Sequence, residues 1–514
     1  MAGTLSDRGE RWIDDLLGRL TPAQKLAQLV LVVPGVADGR PDAATRAALE
    51  LGIGALHSVP AMPVSAAARY HDEVRQICAA AGLPSALLAG NLESGLAYAL
   101  GSGGTDFPYP RGIGLTGDAE LAYRVAAAGA LEARAAGFHW TFSPCVDVIT
   151  VPDDPILGIR AYGVPAEQTA ALGAAQIRGY QDHGMLATAK HFPGHGDSSV
   201  DSHLDLPRVA RTVEQHEEIH LAPFRAAVEA GVASIMVAHL ELPALGIDVP
   251  ATFSRTVNRV WLREELGFEG VIITDSLGMA AVSGQYDAAE GAVLALRAGA
   301  DVANAKCAAA EAPRIVAHLL AALAEGRLDE EQIDASVRRL LRARVAIGLD
   351  QPQPLDFDRA AALDEGLVWE DPSRSATVSL FTREPVVVGP KQVVVGDSAL
   401  ARRFSEVGVR RGLPLTLEPE ALVPGALAKV GARNPGALLI PVVDPGPVPL
   451  ARQLEVVRDA VGDPHAVVVI NSGEPAQAFG ECAGRVLTAA AVDAFGIVTD
   501  AAIDAAFDVL TDEE

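Results

Sequence analysis

At 514 residues the chain is too long for one compact core and fits two domains, one of them large enough for a barrel. Its 49% apolar and 21% charged residues exclude intrinsic disorder. A formal charge of −25 opposes binding to nucleic acid or an anionic membrane, and no stretch approaches the apolar length of a membrane span.

The opening MAGTLSDRGERWIDDLLGRL carries charges where a signal peptide needs an unbroken apolar core, so a cytoplasmic protein is expected. Short apolar runs then recur with Ala/Glu/Arg-rich helical text between them: LVLVV (29–33), GALHSV (54–59), SALLAG (85–90), WTFSPC (140–145), MLATAK (185–190), SIMVAH (234–239), GVIITD (270–275) and ADVANA (300–305). Eight such runs are what a (β/α)8 TIM-like barrel requires. That predicts a catalytic barrel over 1–350. After the helical text of 329–348, the Pro/Asp-rich interval LDQPQPLDFD opens a linker over 351–371. New apolar runs at 386–389, 393–396, 437–443 and 466–473 predict a smaller α/β sandwich-like domain over 372–514. The cysteines Cys78, Cys145, Cys307 and Cys482 are scattered without a C-x-x-C pair, which predicts packing residues and neither disulfides nor a thiolate metal site.

Function in a barrel gathers where the strands end, so the residues closing these runs are the candidates: Asn91 and Glu93, Lys190 and His191, His239, and Asp275. Asp275 suits either a helix N-cap or a nucleophile attacking an anomeric carbon. The stretch KHFPGHGDSSVDSHLDLP (190–207) crowds histidines, aspartates and glycines together. Within it Asp201 and His203 lie two apart, so in extended chain both project to one side, and a carboxylate beside an imidazole tunes it for proton transfer. The glycines upstream are expected to let this loop swing.

Two metal readings compete. His216-Glu217-Glu218-Ile219-His220 is a literal H-E-x-x-H, the pattern of a zinc hydrolase. Its acidic surroundings and the lack of an evident third ligand predict instead an exposed helix start. A zinc ion held by His191, His195 and Asp197 is opposed by the neighbouring Lys190 ammonium. No metal and no cofactor are therefore expected.

The stretch 190–207, followed by MVAHLELPAL and PATFSRTVNRVWLREELGFEGVIITDSLGM, resembles glycoside hydrolase family 3, in its β-N-acetylhexosaminidase branch. TFSPCVDVITVPDDPILGIRAYG is similar to the family segment that delivers a substrate-binding arginine. The resemblance implies a retaining exo-β-glycosidase with Asp275 as nucleophile, His203 paired with Asp201 as acid/base, and Asn91, Arg160, Lys190 and His191 binding a small β-linked amino sugar. It implies no oligomeric state. The family pattern D-x-E-G-G stands here as Asn91-Leu92-Glu93-Ser94-Gly95, so an acid is replaced by an amide that still donates and accepts. That departure leaves a β-glycoside phosphorylase, a β-glycosidase for another sugar, and a non-catalytic sugar-binding protein as alternatives.

Overall fold

The computed structural model describes residues 5–364, apart from 58, 102, 106, 108, 152–156, 199–205 and 353, together with six strands between 378 and 489. The chain divides into two units, residues 1–105 with 117–370, and residues 106–116 with 371–514. Among the described residues both are built mainly on parallel strand pairing.

In the first unit each of the eight apolar runs supplies or overlaps a strand: β1 (Val30–Val33), β2 (Ala55–His57), β3 (Leu87–Gly90), β4 (Trp140–Thr141), β5 (Thr188–Phe192), β6 (Ser234–Val237), β7 (Val271–Thr274) and β8 (Ala303–Ala308). One sheet has the order β8-β1-β2-β3-β4 and another β5-β6-β7. Single parallel bridges join them at both ends, Trp140 with Leu186 and Ile273 with Val302. Each strand therefore has a parallel neighbour on either side. Strands covered on both faces need apolar side chains throughout, and VIIT, SIMV and LLAG are buried at every position.

The connecting helices start and stop on local chemistry. Asp118 caps Ala119–Ala135 by accepting from Glu120 N and Leu121 N, and Asp329 caps Glu330–Ala346 through Gln332 N. Gly299 ends Ala288–Ala298 at φ +116, a conformation open to glycine, where a Cβ would lie 2.8 Å from Arg259 Cγ.

The six strands of the second unit are β9 (Val378–Thr382), β10 (Gln392–Val395), β11 (Leu415–Glu418), β12 (Leu438–Val443), β13 (Val468–Asn471) and β14 (Arg485–Ala489). They form one sheet in the order β9-β14-β13-β12-β10-β11. Only the β9–β14 pair is antiparallel.

Asp301, fully buried just before β8, locks the seam between β7 and β8. It accepts from Ile272 N at 2.8 Å, Ser336 Oγ at 2.7 Å and Arg339 Nη1 at 2.9 Å, and it pairs with Arg263. Removing one partner of a buried pair strands the other, at a cost of about 3–5 kcal/mol. Asp301→Ala is expected to lower the urea unfolding free energy by about that amount, and a loss below about 1 kcal/mol would show that the cluster is not a structural lock.

Candidate active site

Strand ends from around the first unit converge on a cavity of about 160 Å³. Asn91 follows β3, Lys190 and His191 lie in β5, Asp275 follows β7, and Arg160 closes the short 3-10 turn Gly158–Arg160; all of them line it. So do His57 from β2, His195, and Asn304 and Lys306 from β8. Five of the seven residues singled out as site residues are thus brought together. The other two, Asp201 and His203, lie outside the described residues.

Glu93 holds the basic side of this cavity. One oxygen, Oε1, accepts from Lys190 Nζ at 2.7 Å, Arg160 Nη2 at 3.1 Å and Asn91 Nδ2 at 3.2 Å. Burial pushes the Glu93 carboxyl up, but the Lys190 and Arg160 charges outweigh it and hold the group down at about 2. Asn91 is committed at both ends, because its Oδ1 also lies 3.1 Å from His57 Nε2. Rather than standing free for a sugar, it bridges His57 to Glu93.

Asp147 organises the turn that follows β5. Its carboxylate accepts from His191 N at 3.0 Å, His191 Nδ1 at 2.7 Å and His195 N at 2.7 Å, and from the Cys145 thiol at 3.3 Å. A carboxylate can only accept, so His191 carries its proton on Nδ1 and keeps Nε2 as an acceptor. Burial lowers the His191 imidazole in spite of Asp147, which leaves it neutral near pH 7. Cys145 is therefore a hydrogen-bonding member of the site's support, not only a packing residue.

The two glycines of this turn serve close approach instead of swinging. Gly194 has φ +103, and a Cβ on Gly196 would sit 2.1 Å from the Val148 carbonyl oxygen. Arg211 closes the turn by donating to Pro193 O at 2.9 Å, to Gly194 O at 2.6 Å and to both oxygens of Asp197.

Asp275 is half-buried and points into the cavity, with Oδ1 accepting from Ser276 N at 2.7 Å. Burial raises its carboxyl, while His191, His239, the Ser276 N–H and Lys190 lower it further, so the net shift is downward. It stands ionised, the state that a nucleophilic carboxylate would require. His239, fully buried, donates from Nε2 to the Ser276 carbonyl at 2.9 Å and meets Thr252 Oγ1 at 2.7 Å from Nδ1. It holds the Ser276 carbonyl, one residue beyond Asp275, and is remote from solvent.

The H-E-x-x-H pattern departs from expectation. His216 and His220 lie in a π-helical turn and are 3% and 2% exposed, so the start of this helix is not an exposed one at the histidines. His216 packs on Trp261 with ring centroids 4.7 Å apart, and His220 Nε2 lies 3.5 Å from Asp197. Among the described residues the ligand-type side chains close enough to share an ion are Cys145, Asp147 and His191, and neither His216, His220 nor Asp197 belongs to that group.

The family model for the glycosyl hydrolase family 3 N-terminal domain matches residues 23–343, more than half of the chain. The chain belongs to glycosyl hydrolase family 3. It is 28% identical over 403 residues to a β-N-acetylglucosaminidase/β-glucosidase of Cellulomonas fimi, covering 75% of this chain and 69% of that protein. A β-hexosaminidase of Pseudomonas aeruginosa is 38% identical over 233 residues, which cover 45% of this chain and 69% of the relative. Among solved structures, a family 3 β-N-acetylglucosaminidase from Paenibacillus sp. str. FPU-7 superposes with a TM-score of 0.79 at 29% identity, over 96% of this chain and 97% of that one.

Within this family 3 site, four residues have roles that the linear reading did not assign. Asp147 sits inside the quoted arginine-bearing segment, yet its role exists only once residues 190–196 fold around it. His57 lies in a run that looks like ordinary strand, and Asn304 faces the cavity from a run chosen for its apolarity, which Lys306 directly follows.

Because Glu93 is held at about 2 against an ordinary 4.5, it stabilises the fold fully above pH 4.5 and less as pH falls through 2. Glu93→Gln is expected to cost about 3–5 kcal/mol at pH 7, with the gap to the parent narrowing in denaturant melts taken toward pH 2. A gap unchanged across that range would mean that Glu93 is not the counter-charge of Lys190 and Arg160.

Proposed function

We propose that this protein is a retaining exo-β-glycosidase that removes a terminal β-linked N-acetylhexosamine, most simply N-acetylglucosamine, and transfers it to water. The observation that carries this reading is Asp275, an ionised carboxylate at the end of β7 facing a cavity shared with Lys190, His191 and Arg160. The relatives named as β-N-acetylglucosaminidases and β-hexosaminidases support the substrate class.

In this reading Asp275 attacks the anomeric carbon as the leaving oxygen takes a proton from His203, giving a glycosyl-aspartate. His203, tuned by Asp201, then removes a proton from water, which attacks the same carbon and frees Asp275. The neutral Nε2 of His191 accepts from a sugar hydroxyl, and Lys190 and Arg160 donate to others. Asn91 acts through Glu93 and His57.

The closed set of parallel neighbours is read as a (β/α)8 barrel over 1–350, followed by a linker over 351–371 and a smaller α/β sandwich domain over 372–514. Among the described residues no helix is long and apolar enough to cross a membrane.

Asp275→Ala is expected to abolish release of p-nitrophenol from p-nitrophenyl N-acetyl-β-glucosaminide while leaving the melting curve intact. A variant that keeps near-parent turnover removes Asp275 from the mechanism. His203→Ala should slow substrates with poor leaving groups by about 10²–10⁴-fold and activated aryl glycosides far less, because a good leaving group needs no proton. Equal losses on both kinds of substrate would assign His203 to binding instead.

A further inference from the structure

The turn after β5 is gripped from two sides. Asp147 takes the backbone N–H groups of His191 and His195, and Arg211 takes the carbonyls between them, Pro193 O at 2.9 Å and Gly194 O at 2.6 Å. Asp147 serves the proposed chemistry through the His191 ring, whereas Arg211, 2% exposed and outside the cavity lining, has no part in it. Burying a guanidinium is costly unless it is paired and hydrogen-bonded, and its partner here is Asp197. Nε donates to Oδ2 at 2.8 Å and Nη2 to Oδ1 at 2.5 Å, a two-point fork of the kind that fixes direction as well as distance.

The H-E-x-x-H turn backs the same point. His220 Nε2 lies 3.5 Å from Asp197, and His220 Cβ stands 2.9 Å from where a Cβ on Gly194 would be. Burial, followed by the Arg211 charge, pushes the His220 imidazole down to about 4, so it is neutral near pH 7. Among the described residues Arg211 therefore supplies the positive charge that Asp197 meets.

Asp197 and Arg211 are fourteen positions apart, and the chain between them carries Asp201 and His203. One ion pair thus ties the point where that segment leaves the turn to the point where it comes back. The returning limb is held a second time just past β6, where Glu241 N donates to Pro207 O and Val209 N donates to Glu241 O, each at 2.9 Å. Neither Arg211 nor Asp197 lines the cavity, so any effect of the pair on a substrate passes through the residues it anchors.

We propose that Arg211 is a positioning residue for proton transfer: by forking to Asp197 across the two ends of the segment that bears Asp201 and His203, it sets the reach of that acid/base pair. This rests on the assignment of His203 above and adds the element that places it. Misplacing a reacting group by about 1 Å costs on the order of 10²-fold, and general acid–base catalysis is worth about 10²–10⁴-fold, so loosening the fork is felt in the proton step. Attack by Asp275 on a sugar with a good leaving group needs no proton and is largely spared.

The test uses the full chain with Arg211→Met, Arg211→Lys and Asp197→Asn, each first checked by its melting curve. For each variant kcat/KM is measured on an alkyl and on a p-nitrophenyl N-acetyl-β-glucosaminide, because kcat/KM reports the step in which the leaving oxygen takes its proton. Arg211→Met is expected to lose about 10²-fold on the alkyl glycoside and less than about 3-fold on the aryl one, with Arg211→Lys recovering part of the loss. Asp197→Asn should show the same selective loss, and it carries the test by itself if Arg211→Met does not fold. The rate at which an activated fluoro-sugar labels Asp275 should stay within about 3-fold of the parent, since that step needs no acid. Equal losses on both glycosides, or no loss on either, in variants that fold overturn the inference and leave Arg211 as a part of the scaffold. A selective loss in His203→Ala but not in these variants overturns this inference alone, and a selective loss in neither overturns the His203 assignment with it.

Discussion

A single buried carboxylate oxygen, Glu93 Oε1, is the contact on which the site depends. Lys190 from β5, Arg160 from its 3-10 turn and Asn91 at the end of β3 all donate to it. Each of those cations would be costly in a closed cavity without that counter-charge. Sharing one oxygen among three donors fixes their spacing and turns their remaining N–H groups toward whatever enters. The basic wall of the cavity is therefore a consequence of one acid behind it, and that acid touches no solvent.

Asp147 does for hydrogen-bond direction what Glu93 does for charge. By accepting from two backbone amides and the His191 ring, it fixes the turn after β5 and the tautomer of His191 together. Asp275 receives the benefit of both. Its ionised state reflects the Ser276 amide and nearby basic groups, while His239 holds the Ser276 carbonyl from the other side. Among the described residues proposed to touch a sugar, Lys190 and Arg160 are held by the buried Glu93 and His191 by the buried Asp147. Such locking gives a site its geometry before substrate arrives.

Much of this arrangement was legible in the chain. Continuous apolar runs marked parallel strands because burial on both faces leaves no room for alternation, and strand ends then pointed to Asn91, Lys190, His191 and Asp275. What stayed hidden depends on partners distant in sequence. Lys306 reaches the cavity through a register shift against β1, some 270 positions away, and nothing local in ADVANAKC announces it. His216 looks like part of an acidic, exposed helix start, yet Trp261 covers it. Gly194 and Gly196 read as hinges, whereas His220 and Val148 press against them.

The central claim is that Asp275 forms a covalent bond to the sugar, and trapping that bond tests it most directly. The full chain, incubated with an activated fluoro-sugar that is turned over slowly, should gain the mass of one glycosyl group. Peptide mapping should place the added mass on Asp275 within VIITDSLGM. A label on another carboxylate, or turnover of the fluoro-sugar with no covalent species detected at any time, would contradict the account.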